Sequence, residues 1–67
     1  MKLLITQHAR DMMTERGIDE EQIKTVIQRG SKIKQTDGYL AVYTYVSVAY
    51  RILKDGRYKI KTVIING

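Results

Sequence analysis

The chain contains no cysteine, no proline, no tryptophan and no phenylalanine, and a single histidine in 67 residues. Without cysteine there is neither a disulfide framework nor a thiolate metal site, which points to a reducing, cytoplasmic setting rather than an oxidising one. No apolar run approaches the length of about 20 residues that a membrane helix needs, and the opening MKLLI is too short for a signal peptide, so no membrane role is expected. Gly-rich phosphate loops, Cys/His metal spacings, a nucleophile elbow and paired acids suited to glycoside chemistry are all missing as well. A chemistry run here would need neither metal nor cofactor.

What the chain does contain is unevenly spread. A chain this short folds as one small domain, here residues 1–67, and buries roughly 60% of its unfolded surface, so its core is thin. The net charge is +5. Five cations (Lys2, Arg10, Arg16, Lys24, Arg29) balance five anions (Asp11, Glu15, Asp19, Glu20, Glu21) over residues 1–30. Residues 31–67 carry seven cations (Lys32, Lys34, Arg51, Lys54, Arg57, Lys59, Lys61) against Asp37 and Asp55, so the whole excess lies there. All five tyrosines, 39, 43, 45, 50 and 58, lie in the same half.

The apolar period also changes between the halves. Thr6 or Gln7 opens a helix running to about Arg16, with Ala9, Met12, Met13 and Arg16 at spacings of three and four and Gly17 in the left-handed capping position. Asp19 caps a second helix, Gln22 stands where a capping box wants it, and Ile23, Val26 and Ile27 form its stripe before Gly30. The short break between them makes a helical hairpin. Beyond Gly30, Val, Ile, Tyr and Thr dominate, and Asp37-Gly38 and Asp55-Gly56 mark hairpins. Strands are expected near 32–36, 39–45, 48–54 and 57–65. A weakly marked turn near Tyr45-Val46-Ser47 leaves open whether the middle two are one long bent strand. The fold class is α+β: a two-helix hairpin packed on an antiparallel sheet of three or four strands.

Two readings of His8 stand side by side. In the first turn of a helix it is an ordinary polar residue. As a group that titrates near neutrality it also suits proton transfer, and one helical face brings it near Met12, Glu15 and Arg16. Arg16 before Gly17 complements the helix dipole without any ligand, and Asp19, Glu20 and Glu21 are what a helix N-terminus favours rather than a metal cluster. The basic sheet is the stronger signal. Lys59 and Lys61 alternate with Tyr58, Ile60 and Thr62, while Arg51, Arg57 and Tyr50 lie in or beside adjacent strands. Cations interleaved with aromatics fit a polyanion with stackable bases; they equally keep a small sheet soluble. RNA cleavage is a reaction such a protein performs without a metal, because the substrate supplies its own 2′-hydroxyl nucleophile.

His8-Ala9, then Arg16-Gly17-Ile18, an apolar second helix closing with Gly30, and Thr62-Val63 resemble a family of short prokaryotic and phage proteins classed as a domain of unknown function. Its signature reads His-Ala-x-x-Arg-Met-x-x-Arg-Gly-Ile, with an Ile-x-Thr-Val-like ending. The resemblance implies a fold similar to the RelE/ParE-like toxins, within the wider group of barnase, EndoU and the colicin nucleases. Many of that group are metal-independent ribonucleases, often toxins held by a partner antitoxin. It puts His8, Arg16 and Thr62 on matching positions. One departure stands out: Met12 precedes Met13 where the pattern has arginine, so Arg10, Arg51 or Lys61 would have to supply that cation.

Three functional readings follow. The first is a toxin-like ribonuclease or translation-targeting RNA-binding protein, with His8 as acid or base, Arg16 and Arg51 on phosphate, and Lys59, Lys61, Arg57, Tyr50 and Tyr58 along the nucleic acid. The second is a non-catalytic module of the same fold that binds nucleic acid or a protein partner. The third is a small structural or regulatory protein that pairs into a homodimer through an exposed edge strand.

Overall fold

The computed structural model describes residues 1–66; Gly67, the last residue of the expected domain, lies outside them. The elements run β1 (Leu3–Ile5), α1 (Gln7–Arg16), α2 (Glu20–Arg29), β2 (Ser31–Gln35), β3 (Gly38–Tyr43), β4 (Val46–Ile52) and β5 (Tyr58–Ile65).

Both helices are bounded by the residues the sequence nominates. The hydroxyl of Thr6 accepts the N–H of Ala9 at 3.2 Å at the head of α1. Gly17 closes the same helix at φ +69°, a left-handed conformation that costs glycine little. At α2 the capping box is complete: Asp19 Oδ1 accepts the Gln22 N–H at 2.8 Å, and Gln22 Oε1 accepts the Asp19 N–H at 2.9 Å. Gly30 ends α2 for a different reason. Its backbone is extended, and a Cβ there would lie 2.5 Å from the Val26 carbonyl oxygen and 2.6 Å from that of Val42, so the chain passes between two backbones with no room for a side chain.

Among the described residues the sheet has five strands in the order β1-β5-β4-β3-β2, not three or four, and it is mixed. The added strand is β1, which lies parallel to β5 with Leu3 opposite Tyr58 and Ile5 opposite Ile60. Three residues of continuous Leu-Leu-Ile show no alternation, and their partner lies at the other end of the chain, so no local pattern announces the pairing. The remaining pairs are antiparallel, as expected. The middle run is two strands, and the turn falls at Thr44-Tyr45, one position before the expected one. Thr44 adopts φ +55°, rare for a β-branched residue, and this is why no turn dipeptide marks the place. At the β2–β3 hairpin the turn residues are Thr36 and Asp37, and Gly38 begins β3 at φ +109°.

Strand alternation sorts the sheet into two faces. Ala41, Val46, Val48, Tyr50, Ile60 and Val63 are buried together with Ala9, Met13, Ile18, Ile23, Val26 and Ile27, forming the core between sheet and helices. The register places Arg51 opposite Lys59 on the other face. That alternation is broken once. Tyr50 pairs with Ile60 but Ala49 with Thr62, so Lys61 is an extra residue in a β-bulge on β5.

Candidate nucleic-acid interface and histidine site

Thr6 fixes where α1 begins relative to β5: its hydroxyl donates to the Ile60 carbonyl at 2.9 Å, and its backbone N–H donates to the same oxygen at 3.3 Å. His8, two residues on, therefore stands beside Thr62, two residues beyond Ile60. The His8 Nε2 and Thr62 Oγ1 atoms are 3.1 Å apart at the protein surface. A hydroxyl partner both donates and accepts, so it serves a neutral imidazole and an imidazolium alike.

Lys61, adjacent to Thr62, carries its ammonium to the β2–β3 turn, where it donates to the Asp37 carbonyl and lies 3.8 Å from Asp37 Oδ2. Arg51 Nη1 approaches the other carboxylate oxygen, Oδ1, at 3.7 Å. Two of the expected cations thus converge on one acid, and consecutive residues of β5 link that group to the histidine. Lys59 faces the same side as Arg51 through their register.

Other expected residues are placed elsewhere. Arg16 is exposed at the far end of α1; at about 1.5 Å of rise per residue it stands about 12 Å along the helix from His8. Arg57 bonds Asp55 locally: its backbone N–H donates to Oδ1 at 3.0 Å and Nε to Oδ2 at 2.7 Å. Those contacts, the backbone hydrogen bond foremost, hold the Asp55 carboxyl below the ordinary carboxylate range. Asp19, Glu20 and Glu21 behave as the dipole argument requires, with Asp19 engaged in the cap and Glu21 3.6 Å from Lys24. Among the described residues no three His, Cys, Asp or Glu side chains gather to hold a metal ion.

The tyrosines form a row across the sheet. Tyr39 stacks on Tyr50 with ring centres 5.7 Å apart, Tyr50 meets Tyr58 at 5.6 Å, and the Lys34 ammonium sits 5.0 Å from the centre of the Tyr39 ring. Tyr50, in the middle, is only 3% exposed, so both its faces belong to the protein. Burial, then the neighbouring Tyr58 and Tyr39 hydroxyls, push its hydroxyl pKa up. Tyr39 and Tyr58 are half-buried. The row lies on the core face of the sheet, opposite the face of Arg51 and Lys59, so Tyr50, Tyr58 and Tyr39 do not share one surface with those cations, whereas Thr62 and Asp37 join the cations expected from sequence. Asp37 is legible in the sequence only as a turn former, because nothing local shows that a turn faces cations two strands away.

A cavity of about 260 Å³ lies elsewhere, between α2 and the β3–β4 turn, lined by Gln22, Val26, Tyr43 and Tyr45 among others. No helix among the described residues is long and apolar enough to cross a membrane.

These features define a small α+β protein, two consecutive helices on a mixed five-stranded sheet, α1 against β5 and α2 against β3 and β4, with a histidine–threonine pair on α1 and β5 and a cation cluster on β4 and β5. The model of the family described as Domain of unknown function (DUF4258) matches residues 5–65, and the chain belongs to that family. No curated protein and no solved structure matches it.

Proposed function

We propose that the chain is a toxin-like, metal-independent ribonuclease acting in the cytoplasm, related in fold to the RelE/ParE-like toxins and restrained in the cell by an antitoxin-type protein partner. The observation that carries the reading is the 3.1 Å approach of His8 Nε2 to Thr62 Oγ1, with Lys61 the preceding residue of β5 and its ammonium turned toward Asp37. His8 takes the proton from the ribose 2′-hydroxyl, the 2′-oxygen attacks phosphorus, and the 5′-oxygen of the next nucleotide leaves with a proton from solvent. Thr62 holds the imidazole orientation. Lys61 and Arg51 stabilise charge on the phosphate, and Lys59, on the same face as Arg51, meets a neighbouring one, while Tyr39 and Tyr58 pack beside Tyr50 on the core face and offer flanking bases no stacking surface. Arg16 lies too far along α1 to touch the same phosphate and contributes to a more distant one.

Purified protein incubated with single-stranded RNA in EDTA tests this. Cleavage is expected for wild type, with a fall of about 100-fold or more in His8→Ala. A DNA strand of the same sequence stays intact because it has no 2′-hydroxyl. Intact RNA, or His8→Ala cutting as fast as wild type, sinks the mechanism.

One observation favours the second reading, a module that binds nucleic acid without cutting it. Met12 stands where the resemblance has a cation, and Arg51 and Lys61 are already engaged by Asp37. Binding that weakens by roughly 0.7 log units per log unit of salt for each phosphate contact, with no product formed, selects that reading.

A further inference from the structure

Asp37 and Asp55 are the two acids in the basic half of the chain. Asp55 serves the neighbouring Arg57, whereas Asp37 reaches cations on two other strands. Each oxygen of its carboxylate faces a different one, Oδ1 towards Arg51 at 3.7 Å and Oδ2 towards Lys61 at 3.8 Å. That is how the two free oxygens of a phosphodiester meet a pair of cations.

The arrangement is set by backbone features on three sides. Lys61 is the bulged residue of β5, freed from the ladder's strict alternation, and its ammonium also donates to the Asp37 carbonyl. Gly38, next to Asp37, lies so close to β4 that a Cβ would run into the Tyr50 carbonyl and come within 3.2 Å of Arg51 Cα. The turn is therefore pressed against the strand that carries Arg51. Yet the Asp37 side chain is 65% exposed, and exposed ion pairs in water are weak.

We infer that Arg51 and Lys61 form a binding site for one phosphodiester group of a single-stranded nucleic acid, and that the Asp37 carboxylate occupies this site until the phosphate displaces it. The inference rests on the functional reading only in taking these cations to meet phosphate; it needs no cleavage. Asp37 holds the two like charges together in the unliganded protein, and because its ion pairs are exposed and weak a phosphate displaces it at modest cost. A polyanion also held at Lys59, on the same face as Arg51, brings its phosphate there at high local concentration.

A single-stranded DNA oligonucleotide, which lacks the 2′-hydroxyl, gives a binding readout independent of any ribonuclease activity. Asp37→Asn keeps a good turn residue and is expected to tighten binding roughly five- to tenfold at low salt. Glu20→Gln removes the same unit of charge from the first turn of α2, near the opposite end of β3, and is expected to change affinity by less than about twofold. In the Arg51→Ala/Lys61→Ala background, Asp37→Asn is expected to gain no more than Glu20→Gln does. Equal affinities for Asp37→Asn and wild type, an equal gain in Glu20→Gln, or a gain that survives loss of both cations overturns the site. Intact RNA alongside a selective Asp37→Asn gain in DNA affinity removes the ribonuclease reading and leaves this site standing.

Discussion

The hydroxyl of Thr6 donates to the Ile60 carbonyl at 2.9 Å while accepting the N–H of Ala9 at 3.2 Å, so one atom both caps α1 and fastens it to β5. The site follows from that fastening, since His8 and Thr62 each lie two residues further along their elements. Thr6→Val removes the hydroxyl and strands one helix N–H. A loss of about 1–2 kcal/mol is expected in urea denaturation, with RNA cleavage falling as well once α1 loses its anchor. Unchanged stability would show that the backbone bond from Thr6 to Ile60 suffices.

In the proposed mechanism Thr62 acts through His8 and not on the substrate. Thr62→Val is then expected to lower kcat for RNA cleavage by roughly tenfold, the worth of one hydrogen bond, with KM unchanged, and Thr62→Ser to restore it. A purely structural threonine would lower the rate only in proportion to stability.

Tyr50 makes folding sensitive to alkali. Its hydroxyl pKa is raised in the folded protein, so the folded state favours the neutral phenol. The unfolded chain loses that proton first. The contribution is thus fully present below the ordinary tyrosine value of 10.0 and disappears as pH rises from there through the folded value. Thermal unfolding followed across the alkaline range should show a midpoint that falls more steeply above about pH 10, and Tyr50→Phe should flatten the fall. An identical pH dependence in the two proteins would assign the alkaline loss to other groups.

Glycine substitutions separate two kinds of constraint. At Gly17, φ is +69° and an added methyl group would meet nothing within 4 Å, so Gly17→Ala costs only the left-handed backbone, about 1–2 kcal/mol. At Gly38 a methyl group meets the Tyr50 carbonyl as well, so Gly38→Ala is expected to cost more than about 3 kcal/mol by chemical denaturation. Similar costs for the two would mean the β2–β3 turn moves aside freely.

Local chemistry makes the helices easy to read. Thr6, Gly17, Asp19 and Gln22 perform the capping roles their types and spacing suggest, and Ile23, Val26 and Ile27 face the core. The β-rich half is legible as strands, and Asp55-Gly56 lies in a loop as its type suggests. What escapes a reading of the sequence is long-range or locally unfavourable. β1 pairs across more than fifty residues, and Thr44 turns the chain in a conformation threonine seldom takes. The same holds for the site. His8 stands out as a candidate, but its partner Thr62 emerges only through a family resemblance, and the meeting of Arg51, Lys61 and Asp37 depends on a bulge that no spacing reveals.

The parallel pairing of β1 with β5 makes the site a product of loop closure. His8 and Thr62 lie 54 positions apart in the chain, so they meet only when that long loop has closed and its entropic cost has been met, and a change that loosens the β1–β5 pairing parts them without touching either residue.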